Sequence, residues 1–195
     1  MVHRPLPTFL VADGARLVGA QIPIRPTVTL DSPALAVLTD LTEVRAAIVH
    51  PAATLVEAER IMIQQAVRLL FVVRQMPAVD GIVTLNDLHG EKPVRVLQER
   101  RVRREELLVQ DVMSPLSTLD AIDYASFVGA RVGDVVASLL KFGHRYLIVV
   151  EASASDPVTR IRGLVSQSQV EKQLGESLQT VEVASSFAEI HRALA

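Results

Sequence analysis

The sequence has no cysteine and no tryptophan, and aromatic residues make up only 4% of its 195 residues. Without cysteine there can be no disulfide, thiolate metal site or cysteine nucleophile, and the chain suits a reducing cytoplasm. So few aromatic residues argue against a base-stacking surface of the single-strand-binding kind. Charge of one sign is also lacking: 20 Lys+Arg face 22 Asp+Glu, a formal net charge of −2. The basic excess typical of a nucleic-acid-binding domain is missing, so no nucleic-acid partner is expected. No apolar run approaches the about 20 residues needed to cross a bilayer, so no membrane span is expected. The apolar stretch from Phe9 to Ala12 is cut short by Asp13 and Arg16, a poor pattern for a signal peptide. There is no Gly-x-Gly-x-x-Gly after a strand, no P-loop and no Gly-x-Ser-x-Gly elbow. His3, His50, His89, His144 and His191 have no metal-ligand spacing. No enzyme activity, cofactor or metal is therefore expected.

What the chain does have is apolar material, 49% of it, and an internal repeat. Ala53–Val73 aligns without a gap on Ala130–Val150, an offset of 77, with Arg68 over Arg145 and Leu70 over Leu147. Gly81–Leu88 aligns on Gly163–Val170 at an offset of 82. The five additional residues fall between Glu151 and Arg162, where a Ser-, Asp- and Pro-containing stretch suits a hairpin loop. Repetition of this kind places one structural unit twice in the chain.

Each unit reads as strand, helix, strand, strand, helix. Thr54 with Glu57 three residues on has capping-box spacing. Leu55, Ala58, Met62 and Ala66 then recur at helical intervals, as do Val132, Val135, Val136, Leu139 and Leu140 in the second unit. Gly143 stands where a left-handed helix end is wanted. Leu69–Val73 and Tyr146–Val150 are too short for helices and read as buried strands, followed by Gly81–Val83 and Gly163–Val165. Thr84 and Ser166 suit the N-cap of the closing helices. A leading strand is expected at Val44–Val49 and another at Tyr124–Val128. About 60 residues make a marginal core, which two packed units would remedy. Ser32-Pro33 reads as a cap and first helical position for a helix through Leu41. Residues 91–108 link the repeats, and their arginines, interleaved with Glu99, Glu105 and Glu106, read as a solvated linker or helix face. The resulting division is an extended arm over 1–31, a first motif over 32–101, a second over 102–177 and a tail over 178–195. In the tail a strand is expected at Gln179–Val183 and a helix from Ser186.

The order and duplication of Pro51-Ala-Ala-Thr-Leu-Val-Glu-Ala, Arg68-Leu-Leu-Phe-Val-Val and Gly81-Ile-Val-Thr-Leu-Asn-Asp-Leu resemble the tandem cystathionine-β-synthase (CBS) domain pair, or Bateman module, over about residues 37–175. The resemblance implies an α/β (α+β) fold of two β-α-β-β-α repeats with pseudo-two-fold symmetry. It also implies a non-catalytic regulatory module, commonly a homodimer, with an adenine nucleotide (AMP, ADP, ATP or a related adenosyl ligand) between its repeats. By that resemblance Asp87 would accept from ribose hydroxyls, while Thr84, with Asn86 beside it, the free N–H groups of the helix start and the basic Arg68 would face phosphate. Repeat two would offer His144, Arg145, Ser166 and Ser168, but Gln169 stands in place of the acid, which leaves one competent ribose site. Adenine would lie against Ile48 to His50 and Leu69-Leu70. The alternatives are a ligand-free dimerisation scaffold with vestigial sites, and Thr84 and Asp87 serving only as helix cap and first-turn acid.

Overall fold

The computed structural model describes residues 27–143, 145–153 and 156–178. Most of the expected arm, the tail beyond 178 with its strand and helix, and His144 lie outside these. In chain order the elements of the first part are β1 (Thr39–Asp40), β2 (Ile48–Val49), α1 (Leu55–Gln64), β3 (Leu69–Val72), β4 (Gly81–Thr84), α2 (Leu85–His89), α3 (Glu91–Arg100) and α4 (Val109–Val112). The second part has β5 (Ser114–Pro115), β6 (Ala121–Asp123), α5 (Tyr124–Val128), α6 (Val132–Phe142), β7 (Tyr146–Ser153), β8 (Asp156–Ser166) and α7 (Gln167–Leu174). Single 3-10 turns occupy Ala34–Val37, Arg104–Glu106 and Leu116–Thr118.

The α/β fold is built from two four-stranded sheets of equivalent order, β2-β3-β4-β5 and β6-β7-β8-β1. In each, the first pair is parallel and the other two are antiparallel. Both sheets are completed by the other half's leader. β1 precedes repeat one yet pairs with β8 (Thr39 opposite Leu164), and β5 precedes repeat two yet pairs with β4 (Ile82 opposite Ser114). The exchange extends into the cores. Ala34, Val37 and Leu38 are buried with Val132, Val136, Val165 and Val170 of repeat two. Leu107, Val109 and Val112 are buried with Leu55, Met62 and Leu70 of repeat one. Leu69, Phe71, Val73, Ile82 and Ile148 form a third buried cluster where the sheets face each other. Odd residues of β3 thus meet the other sheet and even ones meet the helices, as the two-residue period of a strand dictates.

Four local expectations need correction. The helix expected from Ser32 to Leu41 is only the 3-10 turn Ala34–Val37. Ser32 Oγ instead accepts from Thr29 N–H at 3.0 Å, and Leu38 turns extended so that Thr39 can pair with β8. The strand expected at Val44–Val49 begins only at Ile48, because Asp40 gathers the preceding residues into a turn through its Oδ1 and carbonyl. The strand expected at Tyr124–Val128 is the helix α5. Asp123 accepts from Ser126 N–H as its N-cap, and the real strand, β6, ends at Asp123. Tyr124, Phe127 and Val128 stand at helical rather than alternate spacing. Ala66 does not join the apolar stripe of α1: it is exposed, with a left-handed backbone. The stretch 91–108 carries α3, and two of its arginines bond within the chain, Arg100 to Asp111 at 2.6 Å and Arg104 to the Leu88 carbonyl at 2.8 Å.

Candidate functional site

β3 and β7 occupy equivalent places in the two halves, so the residue before each strand lands at the same place on the pseudo-dyad. Arg68 and Arg145 therefore line one cavity of about 240 Å³, together with Thr84, Asn86, Tyr146, Ser168 and Glu171. The carbonyl of Arg68 accepts from Leu85 N–H and that of Arg145 from Gln167 N–H, so each arginine is tied to the helix start of its own repeat. A second cavity of about 300 Å³ shares Thr84, Asn86, Arg145 and Tyr146 with the first. It adds Asp87 and Asp120 as acids and Ile82, Leu119 and Ile148 as apolar surface. Tyr146 stands where the two meet. Burial pushes its phenol above the ordinary range, opposed by Arg68 and Arg145 and reinforced by Asp87.

Asp87 works hard within the chain. Its Oδ2 accepts from Thr84 N–H at 2.8 Å and Thr84 Oγ1–H at 2.7 Å, while Thr84 Oγ1 accepts from Asp87 N–H at 3.2 Å, a complete capping box. Its Oδ1 pairs with Lys92 Nζ at 2.6 Å. Lys92 also donates to Ser114 Oγ at 2.9 Å and the Val112 carbonyl, and so clamps α3 and the exchanged β5 to the acid. In repeat two, Gln169 turns elsewhere. Its Nε2 donates to Gln173 Oε1 at 2.8 Å, and Gln173 donates on to the Ala36 carbonyl at 3.1 Å.

No protein-family model and no curated protein matches the chain. Solved structures do. An uncharacterized conserved protein from Pyrococcus horikoshii is 17% identical, covering 73% of this chain and 92% of its own, at a TM-score of 0.52. CBSX2 in complex with AMP is 19% identical, covering 71% and 93%, at 0.50. The CBS-pair protein CBSX2 from Arabidopsis thaliana, also 19% identical, covers 81% and 97% at 0.48. The chain has the fold of a tandem CBS pair.

Of the residues singled out on resemblance to CBS pairs, the fold gathers Arg68, Thr84, Asn86, Arg145 and Ser168 around the dyad cavity, with Asp87 in the neighbouring one. Two of the expected residues stand outside both polar cavities. Ser166 lines neither polar cavity; its Oγ accepts from Gln169 N–H at 3.2 Å and caps α7. His50 lines neither, because it sits in the turn before α1, exposed, with Nδ1 accepting from Ala52 N–H at 3.1 Å. Ile48, expected beside adenine, lines a separate apolar cavity of about 660 Å³ with Phe71, Val73 and Val158. The apolar surface next to Asp87 is Ile82, Leu119 and Ile148 instead. Sequence reading missed Tyr146, Lys92, Asp120 and Glu171. Only Tyr146 left a trace, as a phenol standing at the position of Leu69 in the repeat alignment.

Proposed function

We propose that this CBS pair is a non-catalytic regulatory module that binds one adenine nucleotide at the pseudo-dyad. The observation that carries the reading is the meeting of Arg68 and Arg145, from equivalent strands, in one cavity that continues into the one beside Asp87. Two guanidiniums suit a phosphate, which each can hold through charge-assisted hydrogen bonds. Acceptor-only carboxylates at Asp87 and Asp120 suit ribose hydroxyls, and Ile82, Leu119 and Ile148 suit a base. The AMP complex of the similarly folded CBSX2 supports the same ligand class. A nucleotide seated there touches both halves, and it shifts their arrangement by its differential affinity for the two states.

Calorimetric titration of the full chain with AMP, ADP and ATP tests this. Loss of one charged hydrogen bond is worth about 1.5–3 kcal/mol, so Arg145→Ala is expected to weaken binding roughly 10- to 100-fold. Equal binding by wild type and variant removes the site.

One observation favours a second reading, a ligand-free scaffold: both oxygens of Asp87 are already engaged, by Thr84 and by Lys92. Absence of a thermal shift with adenine nucleotides, S-adenosylmethionine and cyclic dinucleotides would decide for it. Under either reading the module pairs with a second copy. Val56 and Ile63 on α1 are 68% and 72% exposed, apolar surface that a closed symmetric dimer would bury. A monomer by light scattering rejects the pairing. No helix among the described residues is long and apolar enough to cross a membrane. We place the protein in the cytoplasm, with no membrane or nucleic-acid partner.

A further inference from the structure

We infer that Glu171 limits the charge the dyad cavity accepts, and so selects a nucleoside monophosphate over the di- and triphosphate. The inference rests on the nucleotide reading above and narrows it. Glu171 lies on α7 and lines the same cavity as Arg68 and Arg145. Its carboxylate is fixed there, because Oε1 accepts from Gln167 Nε2 at 3.0 Å and from Leu178 N–H at 3.2 Å. Leu178 is fully buried in the core of repeat two, so its amide is a firm anchor. The acid has no counterpart across the pseudo-dyad. The equivalent position of repeat one is His89, which pairs outside the cavity with Glu59 at 2.9 Å.

Charge and space then act together. Two guanidiniums balance one terminal phosphate. In a cavity of about 240 Å³, further phosphates crowd toward Glu171, and among the described lining residues Arg68 and Arg145 are the only cations. Like charges at contact distance in a partly desolvated site repel strongly enough to change affinity by tenfold or more.

The test is calorimetry on the full chain with AMP and ATP, in EDTA and then in magnesium, for wild type and Glu171→Gln. Glutamine keeps an acceptor for Leu178 N–H and Gln167, so the variant should retain the fold. Wild type is expected to bind AMP at least about tenfold more tightly than ATP in EDTA, and Glu171→Gln to shrink that ratio about tenfold by gaining ATP affinity. Raising salt on the wild type alone should also narrow the gap, because screening weakens repulsion. A ratio unchanged in Glu171→Gln and insensitive to salt overturns the inference while leaving nucleotide binding intact. Magnesium that favours ATP on the wild type but not on Glu171→Gln also overturns it, since Glu171 would then be a cation ligand. Binding of neither nucleotide by the wild type overturns the functional reading itself.

Discussion

Ala66 and Gly143 occupy the same point of the two repeats, and both hold left-handed backbone, with φ of 52° and 63°. Each follows a long helix, α1 or α6, and turns the chain toward the strand just before which Arg68 or Arg145 stands. Glycine adopts this conformation freely, whereas a residue with a Cβ is strained there by about 1–2 kcal/mol. Part of that returns as the greater entropy glycine loses on folding. Ala66→Gly is therefore expected to stabilise the fold by up to about 1 kcal/mol, and Gly143→Ala to destabilise it by a similar amount. A Cβ on Gly143 meets nothing within 4 Å, so the second effect is purely one of backbone. Urea unfolding midpoints check both, and equal midpoints for all three proteins would count against the assignment.

A second equivalent pair, Gly81 and Gly163, guards the strand exchange. A Cβ on Gly163 would lie 2.6 Å from the Thr39 carbonyl oxygen and 2.9 Å from Leu38 Cδ1; one on Gly81 would overlap the Ser114 carbonyl oxygen. These are the strands each half receives from the other's leader, and backbone cannot yield as a side-chain tip can. Either alanine substitution is expected to cost about 1–3 kcal/mol or more. Gly129→Ala, whose Cβ would meet only the Ser126 oxygen at 3.9 Å, serves as the control and should cost far less.

Acid sensitivity should concentrate at the join between β1 and β8. Arg162 grips both oxygens of Asp40, at 2.8 to 3.2 Å, and Thr42 donates to Asp40 Oδ1 twice. The guanidinium hydrogen bonds hold the Asp40 carboxyl well below the usual carboxylate range, against the upward push of burial. Arg162 also lies 4.5 Å over the Tyr124 ring and 3.5 Å from Glu151, and its own value is raised, chiefly by Asp40. A carboxyl depressed in the folded state contributes stability that is full above its unfolded value of about 3.9 and lost as pH falls through the folded one. The raised arginine stays charged throughout that window and adds no slope. Asp40→Asn should lower stability at neutral pH and flatten its decline below about pH 4. Urea titrations from neutral to strongly acidic pH would show both; parallel curves for the two proteins would refute the attribution.

What the sequence made legible was local. Thr54 and Glu57 do form a capping box, with Thr54 N–H 2.8 Å from Glu57 Oε2, and Gly143 does end its helix left-handed. Both depend on neighbours a few residues apart. The leader exchange left no such mark, because β1 and β5 have two residues each, too few for a period, and Thr39 meets Leu164 only in three dimensions. Ala66 misled because an alanine one turn beyond Met62 continues a helical stripe on paper, while its strain appears only in the backbone angle. At the site, Arg68 and Arg145 could be paired by the repeat alignment alone. Lys92 and Glu171 could not, since each reaches the site through tertiary packing.

Asp87 caps α2, and under the proposed function it also accepts from ribose; substitutions can separate the two roles. As a capping residue it stabilises the start of α2 and clamps Lys92. A ribose acceptor at this position would need the same oxygens. Asp87→Ala should cost about 1–2 kcal/mol of stability through the lost cap, and roughly 10- to 100-fold in nucleotide affinity. Lys92→Met breaks the ion pair and leaves the capping box intact. It should lower stability by less and, by freeing Oδ1, leave nucleotide affinity unchanged or improved. If Asp87 only caps, both variants lose stability and neither loses affinity once measured well below its unfolding temperature. Calorimetry beside thermal unfolding on the two variants therefore tells a site from a cap, and affinity lost equally in both would point instead to collapse of the cavity wall.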